Sequence, residues 1–194
     1  LKRPVKWQAD RSEEFVSAYH GRDVVSRAEM ALDAHGKVLA MRVRSYANVG
    51  GYATMVGVVI QVLIGPWVST SVYDIPLIDV HVRAVLTNTT PTGPYRGAGR
   101  PEAIYFIERL MDAAARRTGI EATELRRRNM IRPGQMPYRN PMSKTYDTGQ
   151  FAKVMDEARK KYEQALTQDK ERAEWAPLLK YHHGVALFES GKLP

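Results

Sequence analysis

The sequence predicts an α+β fold in which strands precede helices, and three observations support this prediction. Apolar and polar residues alternate from Arg22 to Asn48 around a glycine-containing turn, and they alternate again from Ile78 to Leu86. Apolar residues at helical spacing follow Pro101. The 194 residues are 44% hydrophobic and 26% charged, as in a globular domain, so we expect residues 1–194 to belong to one domain.

The strands are predicted from alternation at a period of two residues. Arg22 to Asp33 and Val38 to Asn48 are expected to form an antiparallel hairpin whose turn contains Gly36. A polar segment from Asp10 to Phe15 leads into a short helix before this hairpin. The segment from Ile78 to Leu86 is a third strand, and one of its faces carries Ile78, Val80, Val82 and Ala84.

The clearest predicted helix begins at Pro101, because proline suits the first helical position, and ends before Gly119. Its inward face is predicted to carry Ile104, Ile107, Met111 and Ala114. A second helix is expected from Ala122 to Met130. The proline- and glycine-rich segment from Arg132 to Gly149 predicts a loop.

Four further segments complete the prediction. The apolar run from Ala53 to Val68 is compatible with one buried helix, and its glycines, proline and glutamine exclude a membrane span. Helical patterns return from Phe151 to Leu166, where Val154, Ala158 and Tyr162 share a face, and from Lys170 to Leu178. The segment from Gly184 to Phe188 is typical of the start of a strand.

Cysteine is absent, which excludes disulfides, thiolate metal sites, iron–sulfur ligation and a cysteine nucleophile in this chain. The absence of cysteine fits a reducing compartment, and we expect a cytoplasmic protein. The five histidines lack metal-ligand spacing, so no directly liganded metal is predicted. The chain starts at Leu1 without a signal-peptide pattern, and we expect it to be an internal fragment of a longer subunit.

The net charge of +8 arises mainly between Arg96 and Lys144, where Arg126, Arg127 and Arg128 are consecutive. Such a run is typical of a solvated helix face or of an interface with an acidic subunit. An RNA-binding domain is a weaker alternative, because no recognition module or pattern of stacking aromatic residues accompanies the charge. We therefore expect no nucleic-acid partner.

The most informative segment lies between Gly93 and Glu102 and contains Arg96, Gly97, Ala98, Gly99 and Arg100. Two glycines around a one-carbon side chain let the backbone approach a ligand closely, and the helix after the loop directs free N–H groups towards it. These features predict binding of an anion or an oxo group, with a tight helix-capping loop as the alternative. The segment matches neither the Rossmann fingerprint nor the P-loop.

These residues, together with several motifs in the same order along residues 3–188, resemble a known family. The match is to the molybdenum-binding large subunit of the xanthine dehydrogenase and aldehyde oxidase family, in particular to its bacterial branch named after carbon monoxide dehydrogenase. The matching motifs are Arg3–Trp7, Asp10–Glu13, Ala47–Tyr52, Tyr73–Pro76, Pro94–Ala103, Ile107–Arg109, Asp112–Ala115, Glu124–Ile131 and Thr145–Gly149.

The resemblance implies a partial molybdopterin-binding domain of a molybdenum hydroxylase, an oxidoreductase that takes its oxygen from water. It implies a molybdopterin cytosine dinucleotide carrying Mo, 2Fe-2S and FAD groups on partner subunits, and a complex that is a dimer of heterotrimers. The cofactor-binding residues it implies are Arg96, Gly97, Ala98, Gly99 and Arg100, and Arg96 is expected to direct its backbone N–H towards a Mo ligand while its side chain organises the loop. The family's catalytic glutamate is expected to lie outside this chain.

Two departures from the family pattern bear on the substrate. Carbon monoxide dehydrogenases carry a copper-binding cysteine where this chain has Gly97, which disfavours oxidation of carbon monoxide. Xanthine oxidases carry an aromatic residue at the position of Ala98 and an arginine near that of Ile64, which disfavours a purine. Ala98 is therefore expected to line a roomier pocket for an aldehyde or an N-heterocycle.

A second hypothesis is a non-catalytic interaction module. It would dock a partner subunit through a basic face made of Arg116, Arg117 and Arg126 to Arg128.

Overall fold

A three-stranded sheet forms the centre of the molecule, and the computed structural model describes residues 2–168. A short helix, α1 (Arg11–Ser17), precedes strands β1 (Asp23–Leu32) and β2 (Val38–Gly50). These strands pair antiparallel, which confirms the predicted hairpin. The turn residue Gly36 has a φ of 80°, a conformation that glycine adopts at little cost.

Strand β2 is connected to the next strand by a helical crossover. Helix α2 (Met55–Val59) continues into a π-helical turn (Ile60–Ile64) and then into α3 (Gly65–Trp67), which agrees with a helix in the apolar run. The following strand, β3 (Ile78–Leu86), pairs parallel to β2, so the sheet order is β1-β2-β3. Parallel neighbours cannot be joined by a tight turn, and the crossover supplies the necessary connection.

Two helices pack on the sheet after β3, namely α4 (Arg100–Thr118) and α5 (Ala122–Asn129). Helix α4 buries Ala103, Ile107, Met111, Ala114 and Ala115. The prediction that Ile104 belongs to this inward face is wrong, because 45% of its surface is exposed. The buried stripe runs from Ile107 back by one helical turn to Ala103. Ile104, the next residue along the helix, therefore points away from the sheet.

The segment from Arg132 to Gly149 contains more structure than the predicted loop. A 3-10 turn (Pro133–Gln135) is followed by the short antiparallel pair β4 (Tyr138–Arg139) and β5 (Thr145–Tyr146). The side-chain oxygen of Asn140 accepts hydrogen bonds from the Met142 and Lys144 N–H groups, which folds the chain back on itself. The prediction of a loop is therefore wrong for these four strand residues. The reason is that the pattern of apolar residues does not reveal hydrogen bonds made by the side chain of a turn residue.

The last described element is α6 (Phe151–Gln168), which confirms the helix predicted from Phe151. Val154 and Tyr162 on its predicted apolar face are exposed. The predicted helix from Lys170 to Leu178 and the predicted strand from Gly184 to Phe188 lie outside the described residues. Within residues 2–168, every helix is too short or too polar to cross a bilayer.

The core lies between one face of the sheet and helices α4 and α5. Its fully buried members include Val38, Met41, Tyr73, Ile107 and Leu125. The crossover places Tyr73 and the residues after it against this cluster, so the helices, the hairpin and the connection share one core.

A buried asparagine links the hairpin turn to α5. Asn129 accepts a hydrogen bond from the Val38 N–H at 2.8 Å through Oδ1, and its Nδ2 donates to the carbonyl oxygens of Gly36 at 2.8 Å and Leu125 at 2.9 Å. The side chain thus uses its donors and its acceptor on backbone groups that are 91 to 93 residues away or in its own helix.

Replacing Asn129 with alanine is expected to lower the free energy of unfolding by about 2–4 kcal/mol, because two buried backbone groups of the hairpin lose their partner. Urea titration followed by circular dichroism measures this loss. The matched control is Asn88→Ala at an exposed asparagine, which should change stability by less than about 0.5 kcal/mol. Equal effects of the two substitutions would contradict the role of Asn129.

Candidate functional site

The glycine-rich loop between β3 and α4 has an unusual backbone. Gly97, Ala98 and Gly99 have φ values of 94°, 46° and 86°, so three consecutive residues lie in the left-handed region. The Ala98 N–H donates to the Tyr95 carbonyl at 2.9 Å, and the Arg100 N–H donates to the Gly97 carbonyl at 3.0 Å. Two successive turns therefore close the loop directly before the first turn of α4.

This loop offers backbone donors that the fold does not use. Within residues 2–168, the N–H groups of Arg96, Gly97 and Gly99 have no acceptor. Gly99 is also the N-cap of α4, whose positive dipole end adds to the attraction for negative charge. Unpaired N–H groups in successive turns beside a helix N-terminus form an arrangement that binds anionic or oxo groups.

The loop packs against the crossover through a contact between Gly99 and Gly65. A Cβ atom on Gly99 would lie 2.8 Å from the Ile60 carbonyl oxygen and 3.0 Å from the Gly65 nitrogen. A Cβ atom on Gly65 would in turn lie 3.2 Å from the Gly99 oxygen. The two backbones approach each other at the π-helical turn, a deviation that is frequent at functional sites, and neither position has free room for a side chain.

An ion pair holds the loop from the opposite side. Arg22, directly before β1, donates from Nε to the Glu102 carboxylate at 2.6 Å and from Nη1 to the Tyr95 carbonyl at 3.4 Å. Its guanidinium carbon lies 5.8 Å from the centre of the Tyr95 ring. The side chain is only 4% exposed. Sequence reasoning missed Arg22, because its partners are 73 and 80 residues away and no local spacing connects them.

A cavity of about 730 Å³ opens beside the loop, between the sheet and the start of α4. Its walls are mostly apolar and include Val24, Val43, Val80, Ile60 and Phe106. Gln61 lines the same cavity and donates to the Asn48 carbonyl at 3.1 Å and to the Thr92 hydroxyl at 3.2 Å. In the described part of the chain, two buried side-chain oxygen atoms have no hydrogen-bond partner, Gln61 Oε1 and Glu102 Oε2.

The five predicted cofactor-binding residues lie together in this loop. Gly97 and Ala98 are half-buried, Gly99 is buried, and Arg96 and Arg100 are exposed. Arg100 donates from Nη1 to the Gly97 carbonyl at 3.4 Å. The Arg96 side chain makes no hydrogen bond to residues 2–168, and the side chain that bonds both ends of the loop is Arg22. The roles of Arg96 to Arg100 towards a cofactor remain predictions.

The basic run of α5 is paired within the molecule. Arg126 bonds Glu108 at 2.8 Å and Asp112 at 2.6 Å on α4. Tyr73 donates to the other oxygen of Glu108 at 2.7 Å, and its burial together with the Glu108 charge raises the pKa of the Tyr73 hydroxyl. This cluster holds α5 on α4 beside the core, so Arg126 is not a free docking residue.

The two arginines that follow are also paired. Arg127 forms ion pairs with Asp156 and Glu124, and Arg128 bonds Glu124 at 2.9 Å and the His35 carbonyl at 2.9 Å. Three arginines of the predicted basic face, Arg126 to Arg128, are therefore paired with acidic side chains, whereas Arg116 and Arg117 are exposed at the end of α4. Residues 2–168 also contain no group of three or more histidine, aspartate or glutamate side chains arranged to hold a metal ion.

Comparison with known proteins gives a consistent result. The family model described as molybdopterin cofactor-binding domain matches residues 1–130. The chain is 33% identical over 165 residues to subunit gamma of the 6-hydroxypseudooxynicotine dehydrogenase complex of Paenarthrobacter nicotinovorans, a match that covers 80% of this chain and 20% of the relative. It is 34% identical over 163 residues to the carbon monoxide dehydrogenase large chain of Hydrogenophaga pseudoflava, with the same coverage of 80% and 20%.

Solved structures share the fold. Quinoline 2-oxidoreductase from Pseudomonas putida 86 superposes with a TM-score of 0.73 at 29% identity, over 86% of this chain and 22% of that chain. Reconstituted CO dehydrogenase from Oligotropha carboxidovorans gives a TM-score of 0.75 at 28% identity, over 96% and 22%. The chain thus spans about a fifth of the length of the curated relatives it matches.

Replacing Gly99 with alanine is expected to lower the free energy of unfolding by about 2–5 kcal/mol. The substitution combines about 1–2 kcal/mol for a left-handed alanine with about 1–3 kcal/mol for the clash with Ile60 and Gly65. Gly119→Ala, at the other end of α4, is the matched control, since Gly119 has a φ of 70° but nothing within 4 Å of its Cβ position. In urea titrations, Gly119→Ala should lose only the about 1–2 kcal/mol that a left-handed alanine costs. Equal losses at both glycines would refute the backbone contact.

Proposed function

Because the chain belongs to the molybdopterin cofactor-binding domain family, we propose that residues 96–100 form one of the loops that hold this cofactor in a molybdenum hydroxylase. The observation that carries the proposal is the set of unpaired N–H groups on Arg96, Gly97 and Gly99 at the N-terminus of α4. Backbone donors of this kind suit an oxo or other anionic group and need no charged side chain.

The shape of the loop supports the same proposal. At Gly97 a Cβ atom would stand 2.8 Å from the Pro101 ring, and at Gly99 it would enter the crossover backbone. Glycine at both positions permits the left-handed backbone and lets the loop pack against Pro101 and the crossover, which holds its free N–H groups in place. Ala98 between them adds a single methyl group to the loop.

The proposed cofactor is a molybdopterin cytosine dinucleotide carrying Mo. When bound, it supplies a metal centre that inserts oxygen from water into a C–H bond and takes up two electrons. The residues of this chain contribute placement and electrostatics. The Arg96 N–H would donate to a ligand of the metal, Gly97 and Gly99 would permit the loop conformation that this needs, and Ala98 would border the substrate pocket. Arg100 supports the Gly97 carbonyl.

The proposed substrate is an aldehyde or an N-heterocycle. The chain has no cysteine, and Gly97 stands at the position of the copper-binding residue of carbon monoxide dehydrogenases, which argues against carbon monoxide. Two of the matching proteins are named for nicotine-derived and quinoline substrates, which are N-heterocycles. No carboxylate of this chain is assigned as the catalytic base.

The proposed assembly extends beyond this chain. We propose that the segment is part of a longer large subunit whose partners carry 2Fe-2S and FAD groups, arranged as a dimer of heterotrimers in the cytoplasm. The names of two relatives, a complex subunit and a large chain, support a multi-subunit enzyme. The internal pairing of Arg126 to Arg128 favours this proposal over the interaction-module hypothesis, because it engages three of the five arginines of the predicted basic face within the molecule.

Molybdenum analysis of the purified natural protein with its co-purifying subunits tests the cofactor. We expect stoichiometric metal in the wild type and a loss of most of it in Gly97→Ala, since the new methyl group would meet Pro101 and strain the loop. The control is Gly134→Ala, where nothing lies within 4 Å of the Cβ position, and it should retain its metal. A wild-type protein without molybdenum would refute the proposed function.

Substitution of Ala98 tests the substrate pocket. Ala98→Phe is expected to lower kcat/KM for quinoline by at least about tenfold more than for a small aldehyde, because the ring would fill space that the larger substrate needs. Ala98→Ser adds one small atom and should preserve the ratio between the two substrates. The measurement is steady-state kinetics normalised to bound molybdenum. An equal loss for both substrates would place Ala98 outside the pocket.

A further inference from the structure

Arg22 is the side chain that connects the two ends of the glycine-rich loop. Its contacts reach Tyr95 before the loop and Glu102 after it, so residues 96–101 lie between its two partners. Tyr95 meets it both through the carbonyl group and through the aromatic ring. No residue of the loop itself makes a comparable connection in the part of the chain that the structure describes.

The main chain before Arg22 runs alongside the approach to the loop. The His20 N–H donates to the Pro91 carbonyl at 3.1 Å, and the Gly93 N–H donates to the His20 carbonyl at 2.9 Å. Two residues further along, the Arg22 side chain bonds Tyr95 where His20 used its backbone on Pro91 and Gly93. The segment that leads into β1 therefore runs along residues 91–95, and Arg22 connects it to the start of α4.

We propose that Arg22 is a positioning residue that sets the place of the Arg96–Arg100 backbone relative to the sheet; the proposal rests on the proposed function in assuming that this loop holds the cofactor. Arginine is suited to this role, because its planar guanidinium binds two acceptors in fixed directions and also faces an aromatic ring. A lysine could keep the charge but not this geometry.

The Glu102 carboxylate binds Arg22 through only one of its two oxygen atoms. Its Oε1 receives the Arg22 hydrogen bond, while Oε2 is buried without a partner in residues 2–168. The Glu102 carboxylate is bonded by Arg22 through Oε1, which ties the first turn of α4 to the segment before β1. The Gly99–Gly65 contact on the other side is packing alone and does not orient Tyr95 or Arg96.

For the proposed reaction, weakening the Arg22 contacts should change kcat and KM to different extents. Loosening Arg22 keeps every residue of the loop, Ala98 included, but broadens the positions of the backbone donors. Displacements of about 1 Å in a positioned group can cost about a hundredfold in rate. We therefore expect kcat to fall while KM changes much less, because Ala98, the residue proposed to border the substrate pocket, is kept.

The test compares four variants of the natural protein purified with its subunits: Arg22→Met, Arg22→Lys, Glu102→Gln and Arg44→Met. Arg44 forms an ion pair with Asp79 on the same sheet, away from the loop, and serves as the matched control. Two quantities are measured, namely hydrogen exchange of the peptide covering residues 95–102 and kcat per bound molybdenum. Exchange at the loop requires no activity, so it reports on the restraint directly.

Arg22→Met is expected to speed hydrogen exchange at residues 95–102 and to lower kcat per molybdenum, each by about tenfold or more, with KM within about threefold. Arg22→Lys should show smaller changes than Arg22→Met in both hydrogen exchange and kcat per molybdenum. Glu102→Gln keeps the size of the side chain and should reproduce the direction of both changes, and it replaces Arg22→Met if that variant does not accumulate. Arg44→Met should change neither.

Wild-type exchange at residues 95–102 in Arg22→Met or Glu102→Gln would overturn the proposal, as would equal changes in Arg44→Met. Faster exchange with an unchanged kcat per molybdenum would also overturn it, because the loop would then not need the restraint for catalysis. Wild-type protein that lacks molybdenum refutes the proposed function instead, and the exchange measurement still decides whether Arg22 restrains the loop.

Discussion

The close approach of two backbones, at Gly99 and Gly65, is one of the two contacts that position the glycine-rich loop, and the Arg22 ion pair is the other. Glycine at both positions allows the start of α4 to touch the π-helical turn, and this contact fixes the distance between the helix and the crossover. The crossover is in turn tied to the sheet, because it joins the parallel strands β2 and β3. The segment before β1, the crossover and α4 therefore all contact the loop or its two ends.

Local patterns predicted the elements of this fold, whereas contacts distant in sequence escaped prediction. The hairpin, the helix from Pro101 and the loop with Gly97 and Gly99 each follow from residues that are neighbours in the chain. The parallel pairing of β3 does not, because alternation defines a strand but not its partner. The link between Arg22 and Glu102 spans 80 residues, and no spacing rule connects two charges so far apart.

Charge distribution along the sequence was a poor guide to the surface for the same reason. The run from Arg126 to Arg128 is the densest group of positive charge, yet each of these side chains meets a carboxylate from α4, α5 or α6. A count of charges within a segment omits the acidic residues that folding brings beside it. The run therefore pairs α5 with α4 and α6, and the proposed cofactor site uses neutral backbone donors instead.

The parallel pairing of β2 with β3 also has a consequence for the folding kinetics. The β1–β2 hairpin closes over a short turn and can form early, whereas β3 joins only after the whole crossover has been ordered. Ordering that connection costs chain entropy before its contacts contribute, which slows folding in proteins with many contacts between distant residues. We accordingly expect the hairpin to form before β3 pairs, and the glycine-rich loop to reach its final position after that pairing.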